Sequence, residues 1–246
     1  MKTIAKLFLI VALLPLFVSC EDQSNNDLNN YQVDIATVQN PYNETSFFFR
    51  LDNKKRMWVD ESVYSGYAPK DGQRIVANYT LLSDKSATHL YDYDVRMNDV
   101  YEVLTKTIFN VTKATQDSIG NDSISIEDIW IGSDYLNVQF VYPGYNKTHF
   151  INLVNDTSKV FTDGKTHLYF RHNSNSDSPV YLKSGIVSFN IKSLQTGATG
   201  TTLNLVIHVN MPNQAAEKTY NLSYDFSSST LAPKRIFPTL VQQKFY

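Results

Sequence analysis

Beyond residue 30, this chain is dominated by short runs with an apolar residue at every second position, separated by Gly, Asn, Asp and Ser. A period of two is the repeat of the β-pleat: alternate side chains face opposite sides of a sheet, so such a run buries one face and wets the other. Val187, Phe189 and Ile191 share a face. So do Leu203, Leu205, Ile207 and Val209, and again Tyr220, Leu222, Tyr224 and Phe226. Asn204 and His208 fall opposite in one run, and Thr219, Asn221, Ser223 and Asp225 in the next. Asp163-Gly164, between Phe161 and the run around Leu168 and Phe170, predicts a hairpin turn.

Earlier strands are predicted around Tyr31, Val33 and Ile35; over Phe47 to Leu51; around Ile75, Ala77, Tyr79 and Leu81; and around Tyr91, Tyr93, Val95 and Met97. One stretch has helical spacing. Asn98 stands as a cap before Asp99 to Lys106, with Val100, Val103 and Leu104 on one side. A strand at Thr107 to Lys113 follows. The periodicity stops between Asp117 and Ser125, where turn formers cluster. The fold expected is all-β: an N-terminal OB-type small barrel with one short helix over 31–116, a joint over 117–124, and an antiparallel β-sandwich with a C-terminal tail over 125–246.

The first thirty residues read differently. Lys2 and Lys6 precede an apolar segment from Leu7 to Val18, and Phe17-Val18-Ser19-Cys20 has the form of a lipoprotein cleavage site. That segment is too short for a transmembrane helix, which needs roughly 20 apolar residues, and Pro15 interrupts it. An ordinary signal peptide would leave Cys20 as a thiol with no partner, because the chain has 1 cysteine. Lipidation of Cys20 accounts for both facts: residues 1–19 are the leader, and acyl chains on Cys20 hold the protein to a membrane. Glu21 and Asp22 then open a polar tether over 20–30. Acidic residues directly after the acylated cysteine resemble the surface-export signal of Bacteroidota lipoproteins, which implies an outer-membrane, outward-facing protein.

The net charge of −2, made more acidic by loss of the two leader lysines, argues against a nucleic-acid partner, which requires basic stripes. There is no GxSxG, HExxH or glycine-rich phosphate loop, and no cysteine beyond Cys20 to act as a nucleophile. No catalytic residue, metal or cofactor is predicted. His167 and His172 are the closest histidines, but their odd spacing in a strand sends them to opposite faces, as rim residues. Asp92 and Asp94 share a face beside Arg96 and read as a solvated strand face with a local ion pair. The loop from Asn173 to Asp177 lacks the glycine and the glutamate of a calcium loop. Trp130, between Ile129 and Ile131, reads as core; Trp58 leaves open a glycan-stacking surface.

Five segments carry a family resemblance: Tyr79-Thr80-Leu81-Leu82-Ser83, Asp117-Ser118-Ile119-Gly120-Asn121-Asp122, Tyr135-Leu136-Asn137-Val138, His149-Phe150-Ile151-Asn152-Leu153-Val154 and Tyr169-Phe170-Arg171-His172-Asn173. In order and spacing they resemble the NigD-like lipoproteins of Bacteroidota over essentially the whole mature chain. The resemblance implies an OB-type domain followed by a β-sandwich. It brings no established activity, ligand or catalytic residue; the founding member's name comes from a bacteriocin-immunity role inferred from its operon. Asp117-Ser118-Ile119 and Asp122-Ser123-Ile124 also resemble the Asp-Ser-apolar acceptor of Bacteroidota O-glycosylation, making Ser118 and Ser123 candidate glycosylation sites. The functional expectation is a non-catalytic module for a protein partner, recognised through an apolar patch with a polar rim. A glycan-binding accessory of a nutrient-uptake system is the alternative, and it requires exposed coplanar aromatic rings.

Overall fold

The computed structural model describes residues 31–39, 47–62, 67, 70–83, 90–115 and 119–227. Cys20, Glu21, Asp22, Ser118 and the C-terminal tail lie outside the described residues. Five strands close a barrel in the first part: β1 (Tyr31–Gln39), β2 (Phe48–Leu51), β3 (Arg56–Ser62), β4 (Arg74–Ser83) and β5 (Tyr93–Glu102), in the order β1-β2-β3-β5-β4. Closure comes from β1, which pairs antiparallel with both β2 and β4. Inward side chains at period two fill the barrel: Val38 from β1, Phe49 from β2, Met57 from β3, Ile75, Ala77 and Tyr79 from β4, Val95, Met97 and Val100 from β5. β3 is absent from the strands expected from periodicity, although it supplies Met57.

The helix expected over Asp99 to Lys106 is replaced by the end of β5 and the start of the next strand. Asp99 to Glu102 continue β5 in register with β4, and the chain turns at Val103 into the next strand. The three apolar residues with helical spacing go to three different places. Val100 lies in the barrel core, Val103 in a cluster between the two domains, and Leu104 against the core of the second domain. Their spacing records a chain leaving one core for another.

Among the described residues the second domain has eight strands: β6 (Leu104–Val111), β7 (Ser125–Gly132), β8 (Tyr135–Gly144), β9 (Phe150–Asp156), β10 (Thr166–Asn173), β11 (Tyr181–Asn190), β12 (Thr202–Val209) and β13 (Lys218–Asp225), ordered β13-β12-β10-β9-β6-β11-β8-β7. The strand expected to end the barrel is therefore β6, which sits mid-sheet here. The divide between domains falls at Val103, upstream of the proposed 117–124 joint. Within that segment Ile124 is buried in the sandwich core. β6 pairs with β11 through Leu104–Thr107 and with β9 through Ile108–Val111, so it hands the sheet over from one layer to the other. Between the layers pack Val138 and Phe140 of β8, Ile151 and Leu153 of β9, Phe170 of β10, Phe189 of β11 and Ile207 of β12. Fully burying each such side chain is worth about 1.5–3 kcal/mol.

Candidate functional site

The two domains meet over an apolar seam. Ile35 and Val76, on the outer face of the barrel, pack against Val103, Trp130 and Ile186. This seam explains why β4 reads Ile75-Val76-Ala77 rather than strictly alternating, since both of its faces are buried. Arg74 is fully buried in the seam, and its guanidinium makes a two-pronged ion pair with Asp52 at 2.6 and 2.9 Å. The same group donates to Thr37 Oγ1 and to Asn137 Oδ1 at 3.0 Å, and lies 4.3 Å from the centre of the Tyr135 ring. Asn137 in turn donates to Asp52 Oδ2 and accepts from Ser188 Oγ at 2.6 Å. Each member is satisfied by another, which is what makes a buried charge tolerable. Gly132 belongs to this arrangement: a Cβ there would overlap the Asp52 carboxylate. Arg74, Asn137 and Ser188 are buried, so the network joins the domains, and a small pocket of about 170 Å³ opens beside it past Thr37, Asp52 and Tyr135.

The barrel covers only part of the outer face of β11. Ser188 and Ile186 lie beneath it, but Leu182, on the same face by period two, runs beyond it and is 80% exposed. Its neighbours Val180 and Tyr181 are also exposed, and Tyr181 contacts the exposed ring of Tyr145 with centroids 6.0 Å apart. At this pole Tyr145 and Tyr181 form an exposed aromatic pair, while Leu182, the next residue of β11, is exposed on the other face of the strand. Lys147 and Lys183 rim the pair, their ammonium groups donating to the backbone carbonyls of Asn175 and Ser176 and of Tyr145.

A buried hydrogen-bonded chain fixes the loops bearing this surface. Asp177 accepts from the N–H groups of Tyr145 and Asn146 and meets His149 Nε2 at 3.2 Å. His149 Nδ1 lies 2.8 Å from His172 Nε2, and His172 Nδ1 lies 3.2 Å from the carbonyl oxygen of Ser123. Burial alone would raise the Asp177 carboxyl, but the hydrogen bonds from Tyr145 N–H, His149 and Asn146 N–H hold it far below the usual carboxylate range. The His172 ring is pushed down by burial and then by His149. A neutral His172 must donate from Nδ1 to the Ser123 carbonyl, so its Nε2 accepts from His149. The closely packed Tyr142, 4.4 Å from His149 between ring centres, has its hydroxyl pushed up to about 12 by burial and then by Asp177.

His167 and His172 do lie apart, as their spacing predicts, but His172 is buried rather than on the rim, and each pairs with another histidine. His167 meets His208, as His172 meets His149. The partners come from register, which no local motif reveals. Asp92 accepts from Lys55 Nζ and from Arg56 N–H, both at 2.9 Å, so it ties down the start of β3. Ser123 is exposed. Trp130 is buried in the seam, while Trp58 is half-buried against Tyr91 at 5.1 Å with rings tilted by 31°, so these two do not form a coplanar platform. Among the described residues, no three histidine, cysteine or carboxylate side chains converge as a ready metal cage. Where β6 changes layers, a cleft of about 850 Å³ opens, lined by the amides of Asn110, Asn155 and Asn190 with Thr107 and Lys192.

An OB-type barrel feeding a β-sandwich through one sheet-switching strand defines the class. Residues 35–103 match the NigD-like N-terminal OB domain and residues 107–224 the NigD-like C-terminal beta sandwich domain, so the chain belongs to the NigD-like family. A protein of unknown function from Bacteroides vulgatus is 29% identical, with a TM-score of 0.72 over 84% of this chain and 96% of its own. A NigD-like immunity protein from Bacteroides caccae, 16% identical, has a TM-score of 0.61 over 79% of this chain and 96% of its own. A candidate lipoprotein from Bacteroides fragilis, 12% identical, has a TM-score of 0.57 over 80% of this chain and 100% of its own. The last two likenesses establish the fold alone. No curated protein matches the chain.

Proposed function

We propose that this protein is a non-catalytic binding module, anchored through acylated Cys20 to the outer membrane and facing outward, that captures a protein partner on the surface around Tyr145 and Tyr181. The observation that carries the reading is that surface itself. The exposed rings of Tyr145 and Tyr181 stand in contact beside the loop held by the buried Asp177–His149–His172 chain, and Lys147 and Lys183 rim them. Preorganised loops spare a complex the entropy of ordering them, and an apolar centre with a polar rim is the anatomy of a protein interface. Asp177, the carboxylate bound into these loops, is buried, so the rim is cationic and suits a partner whose own apolar patch is edged by Asp and Glu. Sequestering a toxin, as an immunity protein does, is one concrete version. Glu21 and Asp22, following Cys20, support the outward orientation.

The test is mild crosslinking on native outer membranes followed by capture of the acylated protein, comparing the natural chain with Tyr145→Ser/Tyr181→Ser and with Cys20→Ala. A stoichiometric partner protein retained by the natural chain and lost from the Tyr145/Tyr181 variant is the expected result. An unchanged crosslinking profile in that variant would refute the surface assignment. The amide-lined cleft beside β6 favours a second reading, a glycan-binding accessory, because neutral amides and hydroxyls match the donors and acceptors of sugars. Glycan-array binding abolished by Asn190→Ala would establish it.

A further inference from the structure

We infer that a glycan chain binds along a groove crossing the junction of the two domains, with Phe109 as its stacking ring. The inference rests on the reading of the amide-lined cleft beside β6 as a sugar site and extends that site across the sheet. Three cavities meet at Asn190: the cleft of about 850 Å³, the pocket of about 170 Å³ beside Asp52, and a third of about 510 Å³ lined by Phe109 and by Gly72 of the barrel. Thr107 lines the first and third, Lys192 the first and second, and Tyr135 the second and third, so the three are parts of one groove.

Strand register lays the floor. On the outer face of the sheet, Tyr135 of β8 pairs with Asn190 of β11, and Asn190 pairs with Thr107 of β6. The register that joins Ile108 to Leu153 brings Asn152 of β9 beside Thr107. Four polar side chains therefore stand in a row across four strands. At about 4.7–4.9 Å between strands the row is about 14–15 Å long, the reach of a short oligosaccharide. Phe109 follows Thr107 by two positions, so it projects from the same face, and it is 49% exposed.

A sugar ring carries hydroxyls that donate and accept around its edge and a C–H face that stacks on an aromatic ring. The groove offers the complement of both. Asn155 Nδ2 donates to Asn110 Oδ1 at 3.0 Å, which leaves Asn110 Nδ2 as a donor beside Asn155 Oδ1 as an acceptor. Asn190 Oδ1 accepts from the Lys192 N–H at 3.0 Å, leaving its own Nδ2 to donate. A lone exposed phenylalanine is ordinary surface, but Phe109 stands beside a row of amides and hydroxyls. Among the described residues, Lys106 and Lys192 are the charged residues lining the two larger parts of the groove. Neutral and carboxylated sugars therefore fit, and a cationic ligand does not.

The experiment is electrophoresis of the mature chain through gels containing starch, xylan, galactomannan or pectin, followed by calorimetry with oligosaccharides of the polymer that retards it. Retardation in at least one gel is expected, with affinity rising with oligosaccharide length as successive sugars meet successive strands. Phe109→Ala, a change at an exposed side chain, should weaken binding about 10-fold, the worth of one stacking contact. Asn152→Ala should also weaken it, and Leu182→Ser, at the far end of β11, should change nothing. Retardation that survives Phe109→Ala and Asn152→Ala but is lost on Asn110→Ala would overturn the extension across the sheet and leave the cleft beside β6 as the sugar site. No retardation in any gel would overturn both.

Discussion

Asp52→Ala is the substitution with the largest effect that the seam between the domains predicts. It removes both acceptors of the Arg74 guanidinium at 2.6 and 2.9 Å, and the acceptor that Asn137 Nδ2 uses at 3.0 Å. Arg74 keeps the neutral oxygens of Thr37 and Asn137, but its side chain has no exposed surface through which water could replace the lost charge. Breaking one side of a buried pair costs about 3–5 kcal/mol, because the remaining charge is stranded. In a protein with about 150–250 ordered residues, each kcal/mol moves Tm by about 2–4 °C, so Tm should fall by about 6–20 °C. Thermal and urea unfolding followed by tryptophan fluorescence are suited to this, since Trp130 lies in the seam and Trp58 in the barrel. Arg74→Met/Asp52→Ala should lose less than the sum of its single variants, because the second change removes the stranded charge. Gly132→Ala drives a methyl group into Asp52 and should also destabilise the seam. A loss below about 1 kcal/mol for Asp52→Ala, or strict additivity in the double variant, would refute this account of the seam.

The histidine chain makes stability pH-dependent with a definite sign. His172 has a lowered folded pKa, so the unfolded chain binds its proton more readily. Stability should therefore fall on acidification from about pH 6.5 downward, with a slope of at most about 1.4 kcal/mol per pH unit for one proton. Asp177 adds a further loss at lower pH, as its depressed carboxyl begins to protonate. Urea midpoints of His172→Gln between pH 7.5 and 5.5 should show a shallower slope than those of the natural chain; an equal slope would remove His172 as the cause. Tyr145→Ser/Tyr181→Ser should leave the unfolding midpoint within about 0.5 kcal/mol, because both side chains are exposed, and a large loss would mean they are structural. Ser123 has the exposure a glycan requires, so Ser123→Ala should lower the intact mass of natively expressed protein by a whole glycan; a loss of only the side-chain oxygen would count against that site.

Alternation alone identified most of this fold. Val187, Phe189, Leu205 and Ile207 face the sandwich core as their period requires, because a strand with one wet face leaves no other choice. It failed where a strand is buried on both faces or passes between cores. Val100, Val103 and Leu104 imitate a helix because each serves a different apolar cluster, and only the tertiary path separates them. Trp130 was legible as buried, but not that its burial welds two domains.

The candidate sites lay further from the sequence. Asp177 and His149 are 28 positions apart, Arg74 and Ser188 114, and nothing local to either pair announces the other. What the sequence determined by itself were properties carried by neighbouring residues: strand periodicity and turns. What the tertiary structure decided were the partnerships. Strand register chose which histidine meets which, and the barrel's footprint on β11 buried Ile186 while leaving Leu182 open. Hydrogen bonds and apolar contacts act over a few ångströms of space regardless of separation along the chain, so a site assembled from distant strands becomes visible only once the strands are in place.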